Sequence, residues 1–141
     1  MFSHLCRVTH MSLKLGVVMD PIESINYKKD TTLALLWAAQ DRGWSLFYIE
    51  PDGLSLEGEV PMARSCPLRV HRDPSRWFEI GAADTAPLSD LDIVLMRKDP
   101  PFDMEYVYST YLLERAEREG TLVVNRCQSL RDCNEKLFAT E

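Results

Sequence analysis

Two runs of consecutive apolar residues mark buried strands. One is Lys14 to Met19, KLGVVM, and the other lies in Asp92 to Asp103, DIVLMRKDPPFD, where Ile93, Val94, Leu95 and Met96 follow one another. Such runs read as strands covered on both faces. Gly16 within the first suggests a close backbone approach. Asp20-Pro21 ends that strand and a polar loop, IESINYKK, follows. Asp30 is placed to cap a helix starting at Thr31. Leu33, Leu36, Trp37 and Gln40 fall at i, i+3, i+4 and i+7, with Ala34, Leu35, Ala38 and Ala39 between them, so the helix is apolar on much of its circumference. Gly43 stops it. Ser45 to Glu50, SLFYIE, reads as the second strand of a strand–helix–strand unit.

The middle of the chain alternates loosely. Asp52-Gly53 and Glu57-Gly58-Glu59 are turn signals, so short antiparallel strands are expected at Leu54–Leu56, Val60–Arg64 and Leu68–His71. Trp77 to Ile80 reads as one more short strand or a turn, and Gly81 to Pro87 as a loop. Beyond the second apolar run, Asp103 caps a helix over Met104 to Glu119, with Met104, Val107, Tyr108, Tyr111 and Leu112 as its apolar stripe, a Glu114–Arg118 pair outside, and Gly120 as its stop. Thr121 to Asn125 is a further buried strand, Gln128 to Cys133 a helical turn, and Asn134 the opening of another helix. The decapeptide Met1 to His10 has no period and no signal-peptide core. The expected division is a disordered extension over 1–12, an α/β domain over 13–133, and a new domain beginning at 134–141, with more sequence expected downstream because the pattern stops on Lys136-Leu137-Phe138.

Composition narrows the function classes. The 141 residues suit one domain, and 45% hydrophobic content can build its core. A net charge of −6 offers no basic excess for nucleic acid. No apolar run approaches membrane-spanning length. Cys6, Cys66, Cys127 and Cys133 form no C-x-x-C pair, and free thiols in a reducing cytoplasm are expected. The histidines His4, His10 and His71 show no metal-ligand spacing. G-x-G-x-x-G, Walker A and G-x-S-x-G patterns are all absent from the sequence.

Two charged clusters remain. Asp20, Asn26, Lys28, Lys29 and Asp30 follow the first strand; Arg97, Lys98 and Asp99 follow the strand at Ile93–Met96. Ligands of open α/β sheets bind at the carboxyl ends of strands, so both clusters are expected to face one crevice. Pro100 and Pro101 fix their own φ and restrict Asp99, which stiffens the second loop. Arg97 suits a bidentate grip on a carboxylate and Lys98 a point charge. Asp30 reads as a helix cap. The candidate binding set is Asp20, Asn26, Lys28, Arg97, Lys98 and Asp99, with no catalytic or metal-ligating residue among them.

KLGVVMDPIESINYKKDTT, DIVLMRKDPPFDMEYVYSTYLLERAEREGTLVVN and QSLRDCNEKLF carry a resemblance. From about Lys14 to Phe138 the chain resembles the N-terminal domain of bacterial glutathione synthetase, with MRKDPPFD and SLRDCNEKLF as its specific strings. Cys127 stands where the family pattern N-x-P has proline, and Asp52 to Ala86 matches least. The resemblance implies a Rossmann-like (pre-ATP-grasp) domain: an open, mainly parallel sheet with flanking helices and a small antiparallel hairpin insertion. It implies a part in joining γ-glutamylcysteine to glycine with ATP and Mg²⁺ or Mn²⁺ through an acyl phosphate. The ATP-grasp subdomains and metal ligands would lie downstream of about Lys136, and the whole enzyme would be a cytoplasmic homo-oligomer. The fragment alone is expected to be inactive. The competing reading is a free-standing Rossmann-like binding or interaction module without catalysis.

Overall fold

The computed structural model describes residues 11–133. Residues 1–10 of the extension expected over 1–12, and the helix opening at Asn134, lie outside them. Among the described residues the order is β1 (Lys14–Val18), α1 (Thr31–Asp41), β2 (Ser45–Ile49), β3 (Leu54–Glu57), β4 (Val60–Val70), β5 (Phe78–Ile80), β6 (Asp84–Pro87), β7 (Ile93–Met96), α2 (Met104–Arg118), β8 (Leu122–Val124) and α3 (Cys127–Asp132). Ahead of β1, the Ser12 hydroxyl donates to the Gly43 carbonyl at 2.6 Å.

The main path through the sheet runs β3-β4-β2-β1-β7-β8, with β5 and β6 also paired to β4. The β2, β1, β7 and β8 strands are mutually parallel, and β3 to β6 form an antiparallel annex around β4. The fold is thus α/β and Rossmann-like, with its parallel core where the apolar runs placed it.

Strand alternation sends β1 side chains to two separate cores. Leu15, Val17 and Met19 pack with Leu33, Leu36 and Ala39 of α1. On the other face Val18, Val94 and Met96 pack with Leu113 and Ala116 of α2 and Cys127 of α3. Gly16 faces this second core, where a Cβ would come within 2.6 Å of Leu91 Cδ1. The close approach expected there is present.

Both long helices begin at the expected caps. Asp30 accepts from the Leu33 amide at 2.7 Å and Asp103 from the Tyr106 amide at 2.9 Å. Gly43 and Gly120 follow the helix ends at φ 79° and 106°, the left-handed conformation that glycine adopts without a Cβ clash.

Three expectations need correction. The strands expected at Val60–Arg64 and Leu68–His71 are one continuous strand, β4. Its first half pairs with β3 and β6 and its second half with β2 and β5, so it changes partners at Ser65–Cys66 within one sheet. The expected loop at Gly81–Pro87 contains β6, paired with β4 from Met62↔Pro87 to Ser65↔Asp84. The expected stripe of α2 is on the wrong face. Met104 and Tyr108, each 60% exposed, and Tyr111, 49% exposed, face out, while Ser109, Thr110, Leu113 and Ala116 are buried. Small residues let the helix approach the sheet closely. The two hydroxyls are satisfied within the helix, donating to the Glu105 carbonyl at 2.9 Å and the Val107 carbonyl at 2.6 Å.

The Glu114–Arg118 pair is present at 4.0 Å, but Glu114 makes a closer contact, 3.1 Å, with Arg131 of α3. Arg131 also donates to the Thr110 hydroxyl at 3.2 Å and lies 4.4 Å from the centroid of the Tyr111 ring, fastening α3 to α2. Cys66, Cys127 and Cys133 are free thiols. Cys127 is the first residue of α3 and fully buried. A first helical position has no intrahelical partner for its N–H, so cysteine can stand where the family pattern has proline. Among the described residues no helix is long and apolar enough to cross a membrane.

Candidate functional site

The chain leaves β1 through α1 toward β2, and leaves β7 through α2 toward β8 on the opposite side. The loops beyond these two adjacent parallel strands therefore diverge, opening a crevice at their carboxyl ends. The cleft there has a volume of about 400 Å³, and its polar lining includes Asp20, Asn26, Asp30, Thr32, Arg97 and Asp99.

Arg97 is held from two directions. Its backbone N–H donates to the Val18 carbonyl at 2.8 Å, extending the β1–β7 ladder. Its Nε donates to Thr32 Oγ1 at 3.0 Å. Thr32 is only 5% exposed, because it lies in the first turn of α1 where that helix meets the sheet. The terminal guanidinium nitrogens make no ion pair among the described residues and stand in an exposed position. A guanidinium fixed through Nε presents its two terminal nitrogens as a fork for a carboxylate.

The same lining carries the carboxylates of Asp20, Asp30 and Asp99. Asp20 Oδ2 accepts from the Asp99 amide at 2.8 Å, which ties the two strand-end loops together across the crevice. Asp30 uses one oxygen to cap α1. The Asn26 carbonyl accepts from the amides of Lys29 and Asp30 at 3.0 and 2.9 Å, and its side-chain oxygen accepts from the Lys28 amide at 3.2 Å. This turn delivers the chain into α1. Beneath it Tyr48 is buried with a hydroxyl that finds no hydrogen-bond partner among the described residues. Burial, and then the charge of Glu50, pushes that phenol up to about 12; the nearby Ile22 backbone eases the shift without completing a hydrogen bond.

Four of the six candidate residues, Asp20, Asn26, Arg97 and Asp99, line this cleft. Lys28 is exposed and outside the lining, where Lys29 stands instead. Lys98 belongs to a second cleft of about 570 Å³, with Phe102, Tyr106, Asn125, Arg126 and Ser129 among its lining residues. Successive residues at a strand end turn to opposite faces, so Arg97 goes to the α1 side and Lys98 to the α2 side. Burial, then the neighbouring Cys127, raises the Tyr106 phenol above its ordinary value. Its ring lies 5.0 Å from that of Phe102. The Pro100–Pro101 peptide bond in this loop is cis.

Thr32 was missed by sequence reasoning. A hydroxyl two residues after a helix cap, among apolar neighbours, was the available signal. Asp30, read only as a cap, also borders the cleft. Among the described residues no group of three or more His, Cys, Asp or Glu side chains converges as a metal ion would need. The described residues gather no such ligand set for a Mg²⁺ or Mn²⁺ ion.

The model of the prokaryotic glutathione synthetase N-terminal domain matches residues 13–131. The glutathione synthetase of Pseudomonas putida is 65% identical over 130 residues, covering 92% of this chain and 41% of the relative. That of Pseudomonas aeruginosa is 64% identical over 131 residues, covering 93% and 41%. That of Shewanella oneidensis is 59% identical over 126 residues, covering 89% and 40%. The chain spans about two fifths of the length of these curated relatives. With a matching family model over most of its length and a Rossmann-like parallel core in place, the chain belongs to the prokaryotic glutathione synthetase N-terminal domain family.

Proposed function

We propose that this chain is the substrate-binding wall of a glutathione synthetase, the ligase that joins γ-glutamylcysteine to glycine with conversion of ATP to ADP through an acyl phosphate. The observation that carries the reading is the cleft between β1 and β7, where Arg97, hydrogen-bonded to Thr32, shares the lining with Asp20 and makes no ion pair among the described residues. That cleft sits where α/β sheets bind ligands, and the family is one whose relatives are named for the ligase. The role of the wall is to grip and orient the dipeptide. ATP and Mg²⁺ or Mn²⁺ belong to the part of the longer relatives that this chain does not span, so the 141 residues alone do not ligate. Its setting is the reducing cytoplasm, which the unpaired Cys66, Cys127 and Cys133 support.

Steady-state kinetics in a full-length enzyme carrying this domain tests the reading. Arg97→Ala removes a charged, bidentate contact of about 1.5–3 kcal/mol, so kcat/KM for γ-glutamylcysteine should fall about 10- to 100-fold, chiefly through KM. Unchanged kinetics would remove Arg97 from the site. ADP release by the purified 141-residue chain, dependent on both substrates, would overturn the division of labour.

A further inference from the structure

We infer that Trp77 is a positioning residue for the β1–β7 cleft, and that presenting its indole is a task of the antiparallel annex. The inference rests on the substrate-wall reading above and extends it to a residue outside the cleft lining.

The loop from Asp20 to Asp30 joins β1 to α1 and brings Asp20 and Asn26 to the cleft. Its internal bonds are short-range. The Ser24 amide donates to the Pro21 carbonyl at 3.0 Å, and the Lys29 and Asp30 amides donate to the Asn26 carbonyl. Such bonds shape the turns but do not fix where the loop lies on the domain. Among the described residues two hydrogen bonds reach it from distant sequence. One runs from the Asp99 amide to Asp20. The other runs from the Trp77 indole, whose Nε1 donates to the Ile22 carbonyl at 3.1 Å across 55 positions. Ile22 is fully buried, so water does not stand in for that donor.

Aromatic contacts reinforce the bond. Tyr27, further along the loop, has its ring 5.6 Å from that of Trp37 in α1 and 6.1 Å from that of Trp77. The loop is thus clasped at Ile22 and again at Tyr27, next to Asn26. Trp77 is delivered by the β4–β5 pairing. Val70 stands across from Phe78, and the His71 amide donates to the Trp77 carbonyl at 2.8 Å, which continues the ladder. The indole is half-buried and is not among the residues lining the cleft. It therefore acts through the loop. Without its N–H, the Ile22 carbonyl must turn toward water, and Asp20 and Asn26 on either side move with it.

The test uses a full-length enzyme carrying this domain. Trp77→Phe keeps a ring against Tyr27 and removes the N–H. KM for γ-glutamylcysteine should rise about 3- to 10-fold, with kcat and the KM values for ATP and glycine within about twofold of their starting values. Gln40→Met is the stability control. It breaks the bonds of Gln40 to the Val70 backbone, at 2.7 and 2.9 Å, and lies outside the cleft lining. It should lower the urea midpoint at least as far as Trp77→Phe and leave KM for γ-glutamylcysteine unchanged. An equal rise of KM in both variants would mean general loosening and overturn the assignment.

A second measurement needs no variant. Linkage is reciprocal, so bound γ-glutamylcysteine must tighten the clasp by the same factor. Saturating dipeptide should slow solvent exchange of the Trp77 indole proton about 3- to 10-fold. The Trp37 indole proton, which is donated to the His71 carbonyl at 3.1 Å, should exchange as before. Equal Trp77 rates with and without dipeptide, or equal slowing of both indoles, would overturn the inference. If Arg97→Ala raises KM while Trp77→Phe does not, the inference falls and the substrate wall stands. If neither does, both fall.

Discussion

Gln40 occupies the last position of the apolar stripe of α1, and the structure makes its amide a substitute for a strand. Its Nε2 donates to the Val70 carbonyl at 2.7 Å, and its Oε1 accepts from the Val70 amide at 2.9 Å. The pairing of β2 with β4 starts at Leu46↔Leu68, so the antiparallel partner of Val70 would lie ahead of β2. The side chain fills that missing place. Val70 is 2% exposed, and water does not reach its backbone in compensation. Gln40→Met keeps the length and apolar stem but strands one donor and one acceptor. At about 1–3 kcal/mol for each unsatisfied group, with some return from the added apolar surface, the loss should be about 2–4 kcal/mol. Urea unfolding followed by far-ultraviolet circular dichroism measures it. With a slope of roughly 2 kcal/mol/M the midpoint should fall by about 1–2 M at unchanged slope. The Val70 amide should also exchange faster with solvent. A midpoint drop below about 0.25 M would falsify the strand-replacement argument, because it would mean that Val70 is satisfied in some other way.

Two further outcomes follow from the two cores. Arg131→Met removes the ion pair with Glu114, the bond to Thr110 and the contact with Tyr111, and leaves a Glu114 side chain only 23% exposed without its nearer partner. A loss of about 1.5–3 kcal/mol is expected in thermal unfolding, with exchange accelerated first in α3; Arg131→Lys should recover little of it, because an ammonium lacks the fork. The alkaline limb of stability tests the buried acids. Burial, then Glu117, pushes the Cys127 thiol from its ordinary 9.0 up to about 12, and burial takes the Tyr48 phenol there from 10.0. Between pH 9 and 12 the unfolded chain releases these protons and the folded chain keeps them, so stability is complete below about pH 9 and declines as pH rises. The urea midpoint should therefore be lower at pH 10.5 than at pH 8, with a shallower decline in Cys127→Ala; an equal decline in that variant would contradict the thiol's share.

The cleft was partly legible in the sequence. Asp20, Asn26, Arg97 and Asp99 could be named because ligand sites gather at strand ends and these are the polar residues that follow the two apolar runs. Lys98 adjoins Arg97 in the chain but not in space, because the two-residue period of a strand turns the two side chains to opposite faces. Thr32 was hidden for a different reason. It touches Arg97 across 65 positions of sequence, and nothing near either residue announces the bond.

The local signals held wherever the deciding physics is local. Caps at Asp30 and Asp103, glycines at 43 and 120, and the unbroken apolar runs of β1 and β7 each depend on a few neighbouring residues, and each element formed where those residues placed it. Long-range packing settled the remainder. Which face of α2 turns inward depends on how closely a helix can approach the sheet, and small hydroxyl residues that bond to their own helix won over large aromatics. The continuity of β4 through Pro67 depends on four partner strands, of which β3 and β5 are its neighbours in sequence and β2 and β6 are not. Gln40 is an imperfection in the stripe by sequence alone; the β2–β4 pairing, which begins two residues short of Val70, shows what its amide is for.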